Sequence, residues 1–335
     1  MPADESGLQS HLSLGVLARS GKADERRLAI HPEHFGRIDE GLRPRILLET
    51  GYGADFGATD ETLAPYVGGI TTREEIVATC DVVLLPKVQA ADLTEFRQGQ
   101  TICGWPHCVQ DHALTQAAID RRQTLIAFEA MNHWHSDGGF SLHVFHKNNE
   151  MAGYCSVLHA LSLAGFTGHY GNPTRKAAVI SFGSTARGAV HALTGLGFSD
   201  ITVFTQRAVQ AVTTQIPGLH YLEYTDPDGS GKNLEIYDHI TDTNHESFAD
   251  KLCEFDVIVN CILQDTDKPL MFIGEEHVNK LKPLSVVIDV SCDLGMGFAF
   301  ARPTSFEDPA FEVGRKVLYY AVDHTPSYLW ESATF

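Results

Sequence analysis

Apolar positions along the first half of the chain fall in short continuous blocks. LSLGVLARS (12–20), RILLET (45–50), DVVLLPKV (81–88), QTICGWPH (100–107) and TLIAFEA (124–130) are such blocks, each bounded by polar or turn-forming residues. Blocks of this length predict strands buried on both faces, the pattern of a parallel sheet. The segments between them have helical character. One helix opens near His31-Pro32. TTREEIVAT carries a threonine cap and acids in its first turn, and LTQAAIDRR follows the fourth block. GYGADFG is a glycine-rich turn. Strands alternating with helices imply a parallel sheet whose connections pack on its faces.

The second half repeats the alternation. NNEMAGYCSVLHALSLAG (148–165) predicts a long helix with small residues at its start, and GHYGNPTRK (168–176) a turn-rich break. AAVISF (177–182) is the next strand, GSTARGA a tight turn, VHALTGLG a helix and DITVFTQ (200–206) a strand. FDVIVNCIL (255–263) and SVVIDVS (285–291) continue the series. The stretch from Pro217 to Glu246 is polar, rich in Gly, Asp and Asn, and gives no assignable period. Residues 1–10 read as a flexible leader. The chain holds no internal repeat and no low-complexity stretch.

Composition narrows the picture. The 335 residues suggest two domains, at about 150 residues each. The net charge of −18 argues against generic binding to nucleic acid or anionic membranes, because phosphate repels such a surface. The sequence has no apolar run long enough to span a membrane. Its N-terminus lacks the basic start and apolar stretch of a signal peptide. The seven cysteines, Cys80, Cys103, Cys108, Cys155, Cys253, Cys261 and Cys292, are odd in number and form no CxxC pair. They are expected to be reduced thiols in a cytoplasmic protein. Cys103, His107 and Cys108 lie close together, but no second pair at finger spacing accompanies them, so no metal site is expected.

Candidate chemistry begins at the turn after AAVISF. Dinucleotide-binding folds carry GxGxxG/A between a strand and a helix. Here the segment reads Ser181-Phe182-Gly183-Ser184-Thr185-Ala186-Arg187-Gly188. Gly183 takes the central position and Ala186 the third, while Ser181 replaces the first glycine. Ser184, Thr185 and Ala186 would offer backbone amides to a pyrophosphate at a helix N-terminus. An ordinary strand–turn–helix is the alternative. At the end of the following strand an acid would favour NAD, whereas its absence beside an arginine suits the 2′-phosphate of NADP. The residues there are Thr205, Gln206 and Arg207. Arg207 could pair with that phosphate through charge-assisted bonds, so NADP(H) is expected in preference to NAD(H). The plain alternative is a solvated loop arginine.

Three residues of the first half stand out: Arg27 in DERRLAIHP, Lys87 ending DVVLLPKV, and His107 ending ICGWPH. Ends of parallel strands are where α/β folds gather ligand-binding groups. With these motifs in place, residues 13–335 resemble the alanine dehydrogenase, transhydrogenase and saccharopine dehydrogenase superfamily, most of all its carboxyethylornithine synthase branch. DERRLAIHP, LLPKV and GQTICGWPH are similar to the segments carrying that superfamily's arginine, lysine and histidine. HKNNEMAGYCSVLHAL resembles its interdomain helix, FGSTARGA its nucleotide loop, VIDVSCDLG its late strand and DHTPSYLWESA its return segment.

The resemblance implies an α/β fold of two Rossmann-like domains with parallel sheets and the active site in the interdomain cleft. Residues 1–145 would form the catalytic and substrate domain. Residues 146–321 would form the NAD(P)-binding domain, and 322–335 would return to the first. It also implies residue roles. Arg27 would clamp a substrate carboxylate, and Lys87 and His107 would be the catalytic proton carriers. Glu129, Asp293, Asp323 and His324 would contact substrate or the nicotinamide ribose. The implied activity is an NAD(P)-dependent oxidoreductase acting on CH–NH donors. It would condense a pyruvate-like 2-oxo acid with the amino group of an ornithine- or lysine-like amino acid. The saccharopine enzymes' arginine pair before the long helix is absent, with His143, His146 and Lys147 in that stretch instead. An ammonia-using alanine-dehydrogenase-like enzyme is the first alternative. A cofactor-binding regulator or pseudoenzyme is the second. Small molecules are the expected partners, and a homodimer the expected assembly.

Overall fold

The structure is a computed structural model that describes residues 12–171, 174–212, 214–238 and 243–335. The expected leader at 1–10 lies outside the described residues, as do residues 172–173 and 239–242 of the two turn-rich stretches. The chain forms two compact units. One comprises the described residues up to Phe145 together with Trp330–Phe335, and the other comprises His146–Leu329.

In the first unit, β1 (Leu14–Val16), β2 (Ile46–Glu49), β3 (Gly69–Thr71), β4 (Val82–Leu84), β5 (Thr101–Gly104) and β6 (Thr124–Ala127) make one sheet. Its order is β3-β2-β1-β4-β5-β6. Every pairing is parallel, with Val16 level with Leu48 and Leu84. The apolar blocks explain the arrangement, since Val16, Leu17, Val83 and Leu85 are all fully buried. Strand order reverses between β1 and β4, the switch point at which α/β sheets hold ligands. Helices α1 (Asp60–Leu63), α2 (Arg73–Thr79), α3 (Ala90–Glu95) and α4 (His112–Asp120) form the connections. At the start of α2 the Thr72 hydroxyl accepts the Glu75 amide, the cap that the sequence predicts.

Several expectations are shortened: the strands expected over 12–20 and 124–130 keep only Leu14–Val16 and Thr124–Ala127. The helix at His31-Pro32 is a six-residue 3-10 turn, Pro32–Arg37, whose cap is the His31 side chain. The strand expected over 100–107 stops at Gly104, because Pro106 has no amide for the ladder. After β6 the chain makes a two-stranded hairpin of β7 (Asn132–Trp134) and β8 (Phe140–His143).

The second unit opens with helix α5 (His146–Ala164), then β9 (Lys176–Ile180), α6 (Ser184–Gly195) and β10 (Asp200–Thr205). Strands β11 (His220–Thr225), β12 (Glu235–Asp238) and β13 (Thr243–Ser247) follow, then the short helix α7 (Phe248–Leu252) and β14 (Val257–Asn260). Next come β15 (Met271–Ile273), β16 (Val286–Asp289), β17 (Gly297–Phe298), β18 (Ala310–Val313) and β19 (Val317–Tyr320). The main sheet runs β13-β12-β11-β10-β9-β14-β16-β19-β18. Its central strands, β11 to β19, pair in parallel. Antiparallel strands finish both edges. The stretch that resists assignment from sequence therefore supplies the three strands β11, β12 and β13 on one side of the sheet. Helices α5 and α6 meet at glycines: a Cβ on Gly188 would lie 1.7 Å from the Glu150 carbonyl oxygen, and one on Gly153 1.9 Å from that of Thr185.

Helix α8 (Trp330–Thr334) belongs to the first unit and packs on the loop after β1. The Arg26 guanidinium lies 4.1 Å from the Trp330 ring centre. The Leu28 amide donates to Thr334 Oγ1 at 3.1 Å. The Phe335 ring sits 5.2 Å from His31 and 4.8 Å from His34.

Candidate active site

The carboxyl ends of β1, β4, β5 and β6 carry Arg27, Lys87, His107 and Glu129 in turn. Arg27 is buried, and its fork is engaged by Glu25. Nε donates to Oε1 at 2.8 Å and Nη2 to Oε2 at 2.6 Å, while the Arg27 backbone amide also reaches Oε1 at 2.9 Å. The carboxylate gripped in this structure is thus the chain's own, a pairing that the sequence reading of Arg27 leaves out. The Trp105 ring lies under the same guanidinium at 5.1 Å, wedged edge-on against Phe128.

Lys87 is 8% exposed and close enough to Glu129 to pull its carboxyl pKa down. Burial outweighs that pull, so the Glu129 pKa ends above the usual carboxylate range. Glu129 Oε1 accepts the His107 backbone amide at 2.7 Å. Its Oε2 is buried with no hydrogen-bond partner. His107 has a left-handed backbone, φ 48°, and Glu129 fastens that turn. His143 fixes the other side of Glu129. Its Nδ1 accepts the Phe145 amide at 3.0 Å, which leaves Nε2–H to donate to the Glu129 carbonyl oxygen at 3.2 Å. Lys87, His107 and Glu129 thus stand beyond three neighbouring strands, with Glu129 bound to the His107 backbone and under the charge of Lys87.

In the second unit the β9–α6 turn meets the requirements of a pyrophosphate cradle. Ser181 adopts φ 84°, the left-handed conformation ordinarily reserved for glycine at the first motif position. The turn geometry is kept although the glycine is not. Gly183 caps α6 and faces open space: a Cβ placed there would meet no atom within 4 Å. The amides of Ser184, Thr185 and Ala186 form the first turn of α6, where backbone donors lack intrahelical acceptors. Ala186 is fully buried, and Gly188 makes the close helix contact. The residues present therefore fit a dinucleotide. At the end of β10, Thr205 Oγ1 accepts the Arg207 amide at 3.1 Å, and the Gln206 and Arg207 side chains are exposed. Replacing Ser181 with glycine is expected to relieve a backbone cost and raise stability by about 1 kcal/mol. Thermal unfolding of Ser181→Gly checks this, and a lower melting temperature would contradict it.

Two further groups stand at the carboxyl ends of later strands. His324 is buried and its Nδ1 lies 2.6 Å from Asp323 Oδ1, with the Phe306 ring edge-on to the imidazole. Asp293 follows β16, and burial pushes its carboxyl pKa up. The sequence reading misses Asp289, at the end of β16 and 1% exposed. Asn260 Nδ2 donates to its Oδ1 at 2.9 Å and Tyr319 OH to its Oδ2 at 2.8 Å. Burial raises Asp289 to about 6, against the lowering effect of those donors. A final polar residue in an apolar strand, as in VVID, is the one sequence signal that marks it.

Comparison with known proteins gives this geometry a lineage. Residues 16–152 match the alanine dehydrogenase/PNT N-terminal domain and residues 165–335 its C-terminal domain. The chain belongs to the alanine dehydrogenase/PNT family. It is similar to the N(5)-(carboxyethyl)ornithine synthase of Clostridium botulinum, 26% identical over 93% of this chain and 87% of that one. The alanine dehydrogenase of Lysinibacillus sphaericus is likewise 26% identical, over 93% of this chain and 81% of the relative. A solved L-alanine dehydrogenase shares the fold with a TM-score of 0.73 at 18% identity, covering 96% of this chain and 86% of its own. A transhydrogenase from Sinorhizobium meliloti gives 0.71, also at 18% identity, over 96% and 88% of the two chains. Family membership places the chain among the NAD-dependent oxidoreductases that act on CH–NH groups of amino acids. Among the described residues no helix is long and apolar enough to cross a membrane.

Proposed function

We propose that this enzyme reductively condenses a pyruvate-like 2-oxo acid with the amino group of an ornithine- or lysine-like amino acid, giving a secondary amine. The carrying observation is the meeting of Lys87, His107 and Glu129 at the ends of adjacent strands, because imine formation is chiefly proton traffic. Similarity to carboxyethylornithine synthases along 93% to 95% of the chain supports an amino acid as the amine. Similarity to alanine dehydrogenases favours a second reading, in which ammonia is the amine. The acid-free end of β10 supports NADP(H) over NAD(H). Seven free thiols support a cytoplasmic location.

In this reading Arg27 holds the oxo-acid carboxylate, sharing its fork with Glu25 or releasing it. His107 takes the proton that the amine loses as its nitrogen attacks the carbonyl carbon and passes it to the carbonyl oxygen, giving the carbinolamine hydroxyl. Lys87 donates the proton with which the carbinolamine oxygen leaves as water. Glu129 Oε2, buried and without a partner, is the acceptor offered to the substrate amine. Asp293 and the Asp323–His324 pair contact substrate or the nicotinamide ribose. The bound nicotinamide supplies the hydride that reduces the imine carbon.

The test is oxidation of NADPH and of NADH in a grid of 2-oxo acids against ammonia, ornithine, lysine and other amino acids. Turnover that needs an amino acid supports the condensation. Turnover with ammonia alone replaces it with amino-acid dehydrogenation. In the same assay Arg207→Asp is expected to lower the preference for NADPH by about 10- to 100-fold, the worth of one hydrogen bond to a charged phosphate. An unchanged preference would remove Arg207 from the cofactor argument.

A further inference from the structure

The carboxylate of Asp289 is buried and hydrogen-bonds to none of the residues assigned above to substrate, although the charge of Asp293 acts on it. It nevertheless gathers donors from three different elements. Asn260 comes from the end of β14, Tyr319 from β19, and the Cys292 amide, at 3.3 Å, from the loop that follows β16. Asn260 passes the restraint on, because its Oδ1 accepts the Ile262 amide at 3.3 Å. The Cys292 contact closes a side-chain-to-backbone turn from residue 289 to 292. Cys292 is left-handed there, φ 59°, and its thiol donates back to the Asp289 carbonyl oxygen at 3.2 Å. A residue other than glycine keeps such a backbone only where its surroundings over-determine it. The next residue is Asp293.

A buried carboxylate is an expensive way to fasten strands, since apolar packing does it as well. What an acid adds is direction, through several donors fixed on one group. We propose that Asp289 is a positioning residue: by holding Cys292 left-handed it aims Asp293 out of β16 towards the reacting molecules. The proposal rests on the reading of Asp293 as an acid that contacts substrate or the nicotinamide ribose. Glycines at 295 and 297, both with positive φ, then let the loop turn back so that the Gly297 amide reaches the Leu270 carbonyl oxygen.

A double-mutant cycle between Asp289→Ala and Asp293→Asn tests this, read in kcat and KM and in NADPH binding by fluorescence. Asp289→Ala is expected to lower kcat about 10-fold or more while NADPH binding changes little, and to cost almost nothing further once Asp293 is asparagine. Asp289→Asn, which keeps an acceptor for the Cys292 amide, should recover most of the loss. Cys292→Gly placed on Asp289→Ala should also restore activity, because glycine adopts the left-handed backbone unaided. A merely structural role predicts neither rescue by Cys292→Gly nor non-additivity. Should Asp289→Ala fail to fold, Asp289→Leu with Tyr319→Phe keeps the volume and removes the stranded hydroxyl, and it enters the same cycle. Additive losses, or full kcat in Asp289→Ala or in Asp289→Leu with Tyr319→Phe, overturn the inference alone. Full activity of Asp293→Asn overturns the reading of Asp293 and the inference with it.

Discussion

Lys87→Met lowers kcat/KM by about 10²- to 10⁴-fold, the usual worth of a positioned proton carrier. Methionine preserves the length and much of the apolar stem but carries no proton. The expectation rests on where the side chain lies. Lys87 follows β4 beside the switch point, is 8% exposed, and acts electrostatically on Glu129. Its loss also withdraws a positive charge that lowers the Glu129 pKa, so Glu129 rises further and the remaining activity moves to higher pH. His107→Asn has a loss of similar size without that electrostatic consequence, because the Glu129 contact is to the His107 backbone amide. Steady-state kinetics across pH separates the two variants. Turnover near wild type in both would refute the proton-transfer role whatever the fold.

Gly188→Ala is the largest expected loss of stability. The added carbon would have to sit 1.7 Å from the Glu150 carbonyl oxygen on α5, which is backbone and cannot swing aside. The helices must part, and the packing of Val157, Ala186, Ala189 and Val190 between them goes with the contact. Overpacking of this kind costs about 3 kcal/mol, which for a unit the size of His146–Leu329 lowers the melting temperature by roughly 6–12 °C. Gly183→Ala is the internal control. Its side chain would meet nothing within 4 Å, so stability should hold while dinucleotide affinity falls, because the methyl group enters the space left for the pyrophosphate. Calorimetry and a cofactor titration on the pair decide it. A Gly188→Ala protein that melts like wild type would mean the helices are not in contact as described.

The strands that hold the candidate groups are legible because burial on both faces writes itself as uninterrupted apolar sequence. DVVLLPKV and FDVIVNCIL contain β4 and β14, and the motif residues stand immediately beyond the strand ends. The strands β11 to β13, on one side of the sheet, are not legible. β11 and β12 are only partly buried, so their residues need not be apolar, and a turn-rich segment interrupts the series. Within the candidate site, sequence marks residue types at strand ends but not what their side chains already hold. Nothing in DERRLAIHP tells that Glu25 grips Arg27, because a pairing two residues apart depends on a loop of irregular backbone. The Asp289 network is hidden for a different reason. Its side-chain donors lie about 30 residues away in either direction and meet only when β14, β16 and β19 align. Ser181 shows the converse. The residue departs from the motif while the backbone conformation obeys it.

The loop after β1 is held by contacts with residues 330–335, which are synthesised some 300 residues after it. Domains generally fold as they leave the ribosome, earlier segments first. The six parallel strands of the first unit are complete by residue 127, yet the Leu28 amide has no Thr334 to bond and Arg26 no Trp330 to rest on until the whole second unit has been made. The arginine loop is therefore among the last parts of the enzyme to be secured in time, although it lies near the beginning of the sequence. A nascent or prematurely terminated chain would carry a finished sheet while the loop around Arg27 still lacks its contacts with Trp330 and Thr334.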